Sequence, residues 1–240
     1  MPTLLDAALL ATHVYANGDT PAPAGWSKIE QASQAGYQGI AYLNAKLNEI
    51  AIVHRGTHWD FKKPKIVSGN VSSDTAILSQ LLPSETSLAV TFSKAVLQKY
   101  QSNYRYIQIG HSLGGFHAHW GGYELLQPVI AFDPPGCKEI LLYKVKEINE
   151  QQCNQHYSFF GKSNFINNTN TPIGKVFLNI KESNIFLQSS ATFEEHRMKY
   201  FLGIISDTTG DPTTGIEFKF DPFQSIEEIK LKKSKGCTIS

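Results

Sequence analysis

Cysteine is scarce: Cys137, Cys153 and Cys237 are three in 240 residues, odd in number and widely spaced. That excludes a disulfide framework and suits a reducing compartment. Charge of one sign is scarce too. The 22 Lys and Arg against 21 Asp and Glu leave a formal +1, no whole-chain signal for nucleic acid. No apolar run approaches the roughly 18–20 residues needed to cross a bilayer. Residues 4–11, interrupted by Asp6 and preceded by no basic residue, do not read as a secretory signal. What remains, 41% hydrophobic and 18% charged, is the composition of a globular protein whose core needs neither metal nor disulfide.

The pattern along the chain alternates. Apolar spacing over 4–14 predicts a helix, followed by a loop rich in turn residues through Gly25 and a second short helix over 27–35. Residues 37–43 and 49–54 read as a hairpin of two strands. A helix over 84–100 opens on Ser84 as N-cap. A strand over 104–109 leads into Gly110-His111-Ser112-Leu113-Gly114-Gly115 and a helix to Leu126. Further strands are expected at 128–132, 156–160 and 175–180, with a helix around 138–148. Strands alternating with helices predict an α/β class: a mostly parallel central sheet covered on both faces, with an antiparallel hairpin near the N-terminus. The boundary falls at residue 206, separating a domain over 1–206 from a linker and tail over 207–240.

Gly110-His111-Ser112-Leu113-Gly114 fits the Gly-x-Ser-x-Gly nucleophile elbow of the α/β-hydrolase fold, with an apolar strand before it and a helix after it. A serine hydroxyl needs a base, and the base needs a carboxylate that fixes its tautomer. In this fold their chain order is serine, acid, histidine. Asp133 is the one aspartate between Ser112 and His196. Of the histidines beyond the serine, His117 and His119 lie on the elbow helix and do not share a face, and His156 begins a strand. His196 alone lies past the last strand. The expected triad is Ser112, His196 and Asp133, with Glu194 or Glu195 as the next carboxylate; Asp-Pro-Pro-Gly at 133–136 is also a turn signal. Two amides should bind the oxyanion, that of Leu113 and one from the loop after an early strand, where Thr57 stands. No metal or other cofactor is expected.

His54-Arg55-Gly56-Thr57 paired with Gly110-His111-Ser112-Leu113-Gly114-Gly115 resembles the class 3 lipase group of α/β-hydrolases over roughly residues 1–205. The resemblance implies cofactor-free hydrolysis of acyl esters of glycerolipids, Thr57 at the oxyanion position, and a lid at about 58–69. The sequence departs from that group where the acid usually stands one strand later: here it reads Ser163-Asn164-Phe165. The segment around Asp133 instead resembles the acid placement of pancreatic-type lipases.

The last residues run Lys230-Leu231-Lys232-Lys233-Ser234-Lys235-Gly236-Cys237-Thr238-Ile239-Ser240. They fit a C-a-a-X prenylation signal on Cys237, with Lys230, Lys232, Lys233 and Lys235 as the second, electrostatic signal. The four lysines leave the preceding 229 residues at a net −3. The expected partners are a lipid substrate, an anionic membrane surface and a prenyltransferase. The expected location is the cytosolic face of a eukaryotic membrane, in a host cell if the chain is a bacterial effector, and the cytoplasm if Cys237 carries no lipid. The leading expectation is a phospholipase A or lysophospholipase; a thioesterase with the same triad, or an inactive membrane-tethered binding module, are its rivals.

Overall fold

Helix α1 (Leu4–His13) opens on a capping box in which the Thr3 hydroxyl accepts from the Asp6 amide and the Asp6 carboxylate accepts from the Thr3 amide. These bonds satisfy orphan donors of the first turn. In the computed structural model, which describes residues 2–17, 19–56, 82–100, 103–160, 170–178 and 198, α1 lies against a seven-stranded sheet. Its strands are β1 (Ser27–Gln34), β2 (Tyr37–Asn44), β3 (Glu49–His54), β4 (Arg105–His111), β5 (Val129–Phe132), β6 (His156–Phe160) and β7 (Lys175–Leu178). They lie side by side in chain order. β1, β2 and β3 pair antiparallel, and β3 through β7 are parallel.

Strand alternation divides the core. From β3 and β4, Ala51, Val53, Ile107 and Ile109 join Ala7, Leu10 and Val14 on the α1 face. Ile50, Ile52 and Tyr106 join Ala89, Phe92 and Val96 of helix α2 (Thr86–Tyr100) on the other. That second face also carries α3 (Leu113–Leu125), in which every residue from Leu113 to Tyr123 is buried. Buried all round, α3 is the central helix. It ends on Leu126 in the left-handed region. Two shorter helices follow, α4 (Lys138–Val145) and α5 (Glu150–Cys153).

Two expectations are corrected. Residues 27–34 form strand β1, not a helix: Ala35 and Gly36 both have positive φ (46° and 86°) and make a two-residue hairpin turn that sets Gln34 opposite Tyr37. The three-residue spacing of Ile29 and Ala32 imitates a helical face, but the turn governs. Glu30 on this strand pairs with Lys99 and accepts from the Tyr100 hydroxyl at 2.8 Å, tying β1 to the end of α2. Ser84 does not head the helix. It lies in the preceding turn, its hydroxyl donating to the Glu85 carboxylate at 3.0 Å, and α2 begins two residues later.

Candidate active site

The site stands where the parallel strands end. β4 runs into Ser112, which has φ 56° and ψ −131°, and the chain turns at once into α3. A non-glycine residue at such angles costs on the order of 1–3 kcal/mol and persists only when its surroundings hold it. They do: the Ser112 amide donates to the Phe132 carbonyl at 3.0 Å, and the Ser112 carbonyl accepts from the amides of Gly115 and Phe116 at 2.8 and 3.2 Å. Glycine is required on both sides. A Cβ on Gly110 would lie 2.1 Å from the Gly114 carbonyl oxygen, and one on Gly114 would lie 2.1 Å from the His54 carbonyl oxygen. The elbow is thus pressed against the end of β3.

Asp133 occupies the matching place one strand over. β4 and β5 pair His111 with Phe132, so Ser112 and Asp133 are each one residue past that pair. Asp133 is fully buried, with φ 42°, and its amide donates to the Phe159 carbonyl at 2.9 Å. Leu113, the first residue of α3, is buried beside them. Its amide is one of the helix N-terminal donors that lack an acceptor inside the helix.

Residues Arg55 and Gly56 follow β3 and lie against the elbow: a Cβ on Gly56 would be 2.4 Å from the His111 carbonyl oxygen and 3.0 Å from the Ser112 Cβ. Thr57 lies outside the described residues, as do the expected lid at 58–69, Glu194, Glu195, His196, Cys237 and the four tail lysines. Met198, two residues beyond His196, is described; it is buried in the α1-face cluster with Ile109, Phe132 and Tyr157.

Two residues at the site carry no sequence signal of their own. The Tyr15 hydroxyl shares a 2.8 Å hydrogen bond with His111 Nδ1 across 96 residues of chain, and the same oxygen would meet a Cβ on Gly56 at 2.5 Å. Arg55, quoted above only as part of a motif, reaches Asn17, Nη1 donating to Oδ1 at 3.2 Å. Both partners lie in or just after the short 3-10 turn Val14–Ala16.

The histidines of the elbow helix point to opposite networks. His117 Nδ1 meets the Thr86 hydroxyl at 3.3 Å, and its ring faces that of His54, whose Nδ1 meets the Tyr37 hydroxyl at 2.8 Å and whose Nε2 meets Gln108 Oε1 at 2.7 Å. His119 meets His156 (Nδ1 to Nδ1, 3.2 Å) and the Ser158 hydroxyl (2.9 Å). Burial disfavours the charged imidazolium in all four. It lowers the pKa to about 4 in His54, about 3 in His117 and His119, and well below the usual value in His156. Among the described residues no group of three or more His, Cys, Asp and Glu is placed to hold a metal, and no helix is long and apolar enough to cross a membrane.

An antiparallel lead-in, a parallel sheet and a strained serine between strand and helix define the α/β-hydrolase fold. Solved structures similar to this chain bear that out. They include lipase II from Rhizopus niveus (16% identity over 74% of this chain and 79% of the lipase, TM-score 0.53). The Lip2 lipase from Yarrowia lipolytica (13%, 72% and 76%, TM-score 0.52) and a triacylglycerol lipase from Penicillium expansum (15%, 73% and 78%, TM-score 0.51) are also similar. At these identities the likeness is one of fold. No protein-family model and no curated protein matches the sequence.

Proposed function

We propose that this chain is a serine hydrolase cleaving acyl esters of membrane lipids, of the phospholipase A or lysophospholipase type. The observation that carries the reading is Ser112 held at φ 56°, ψ −131° between β4 and α3, the strained strand-to-helix turn on which this fold sets its nucleophile. That similar folds belong to lipases supports ester chemistry on lipids. The lysines at 230–235 support an anionic membrane as the surface it works on.

In this mechanism Ser112 Oγ attacks the ester carbonyl carbon while His196 takes its proton, Asp133 orienting the imidazole and stabilising its charged form. The oxyanion is met by the amides of Leu113 and Thr57, each worth roughly 3–4 kcal/mol of barrier. Collapse breaks the bond to the alcohol oxygen, which leaves with the proton from His196. Water, deprotonated by the same histidine, then attacks the acyl-serine and releases the fatty acid. A prenyl group on Cys237, added by a prenyltransferase, together with the adjacent lysines, would keep the domain on the cytosolic leaflet, since one lipid chain alone binds only marginally.

The test is fatty-acid release from mixed phospholipid vesicles by wild type and Ser112→Ala, with fluorophosphonate labelling of the serine alongside. Release by wild type alone supports the reading. Labelling without release moves the substrate to thioesters or soluble esters, and the absence of both overturns the enzyme.

A further inference from the structure

Arg55 is the conspicuous cation of the site. It continues the row of Ala51 and Val53 on the α1 face of β3, its amide fixed by the Gln38 carbonyl at 3.0 Å. The next residue, Gly56, lies under the Ser112 Cβ. The Arg55 side chain is half-buried; among the described residues its hydrogen-bond partner is the neutral Asn17 amide oxygen, the Tyr15 hydroxyl stands near, and no carboxylate pairs with it. Three other cations of the fold meet a carboxylate: Arg105 meets Glu49 at 2.7 Å, Lys99 meets Glu30 and Lys144 meets Glu124. Those three are more exposed than Arg55. A half-buried guanidinium whose partner among the described residues is a neutral amide bears a desolvation cost that an anion would offset, and burial lowers the Arg55 pKa without discharging it.

Resting on the serine-hydrolase reading above, we infer that Arg55 holds the phosphate of a glycerophospholipid whose ester carbonyl sits at Ser112. The placement supports this: the backbone directly after Arg55 meets the nucleophile turn, a Cβ on Gly56 lying 3.0 Å from the Ser112 Cβ. The planar fork of the guanidinium suits a phosphate better than an ammonium would. Neutral glycerides would leave the cation unserved.

The experiment compares dihexanoyl phosphatidylglycerol with 1,2-dihexanoylglycerol, both presented as monomers so that surface binding by the tail plays no part, on full-length wild type, R55K and R55Q. Wild type should prefer the phospholipid in kcat/KM by roughly tenfold or more, R55Q should lose that preference, and R55K should keep part of it. Calorimetry should show glycerol 3-phosphate binding wild type at least about tenfold more tightly than R55Q. Thermal midpoints identify any variant that has merely unfolded, in which case R55K and the wild-type preference decide. Equal losses on both substrates would make Arg55 a strut of the Asn17 turn and overturn the inference. So would a wild type without preference, or one that binds inorganic phosphate as well as glycerol 3-phosphate. If wild type hydrolyses neither lipid and Ser112 takes no fluorophosphonate, the hydrolase reading fails, while the calorimetric comparison still decides whether Arg55 holds a glycerophosphate.

Discussion

Ser112 and Asp133 stand one residue past the register pair His111–Phe132, both with positive φ (56° and 42°), at the ends of neighbouring parallel strands. Two strained turns side by side bring a hydroxyl-bearing and a carboxylate-bearing residue to one sheet edge. The Ser112 amide bonded to the Phe132 carbonyl couples them.

Because the serine is held in a conformation that favours glycine, Ser112→Ala and Ser112→Gly should part company. Both should remove hydrolysis, by roughly a thousandfold or more. Ser112→Gly alone should gain stability, about 1 kcal/mol in urea unfolding, by releasing the strain. A Gly variant no more stable than the Ala variant would show the turn to be unstrained.

The acid can be assigned by rate. Asp133→Asn should lower kcat by roughly ten-thousandfold, as loss of a triad carboxylate does, with little change in KM. If Glu194→Gln or Glu195→Gln has that effect and Asp133→Asn does not, Asp133 serves only its turn.

Glycines of α3 differ in what a methyl group would meet. Gly121→Ala, where nothing stands closer than 3.8 Å, should stabilise by about 0.5–1 kcal/mol through helix propensity. Gly114→Ala, facing the His54 carbonyl at 2.1 Å, should destabilise by several kcal/mol and separate β3 from the elbow. Denaturant midpoints of the two variants measure the contrast.

Acid should unfold this chain early. His54, His117, His119 and His156 are held neutral by burial with pKa values depressed below the ordinary 6.5. The unfolded chain therefore binds more protons below pH 6.5, and stability falls as pH drops from there towards 4 or 3. Each histidine contributes up to about 1.4 kcal/mol per pH unit in that window. Urea unfolding of His119→Asn between pH 7 and 4 should show a shallower slope than wild type; an identical slope would mean the ring is protonated when folded.

Membrane attachment has a separate test. Cys237→Ser should move the protein from membrane to soluble fractions of a eukaryotic cell, and replacement of the four lysines by glutamine should do so in part. Unchanged fractionation of the cysteine variant would remove the lipid anchor.

Much of this architecture was legible because the signals were local. The hairpin of β2 and β3, the strand bounds at 156–160 and the elbow each follow from alternation or from glycine placement within a few residues. His117 and His119, expected on different faces of the helix, do join separate networks. Strand β1 resembles a helix in sequence because its fate lies in the Ala35–Gly36 turn, a weak signal beside the helix-like spacing of its apolar residues. Tyr15 was illegible for another reason: its hydroxyl bonds His111 only once α1 has packed on the sheet, a contact no local pattern encodes. Arg55 is visible in sequence as a letter in a motif, but its bond to Asn17 across 38 residues is a property of the folded surroundings.

The order of the strands across the sheet, β1 through β7 each beside its predecessor among the described residues, also says something about birth. On a ribosome, where N-terminal segments emerge first, each new strand finds its partner already made and adds to the open side, so none has to wedge between two settled neighbours. The serine then emerges before its neighbouring aspartate. A chain assembled in this sequence lays down the strand that ends on Ser112 before the one that ends on Asp133, so the serine turn gains its bond to the Phe132 carbonyl only once β5 has arrived.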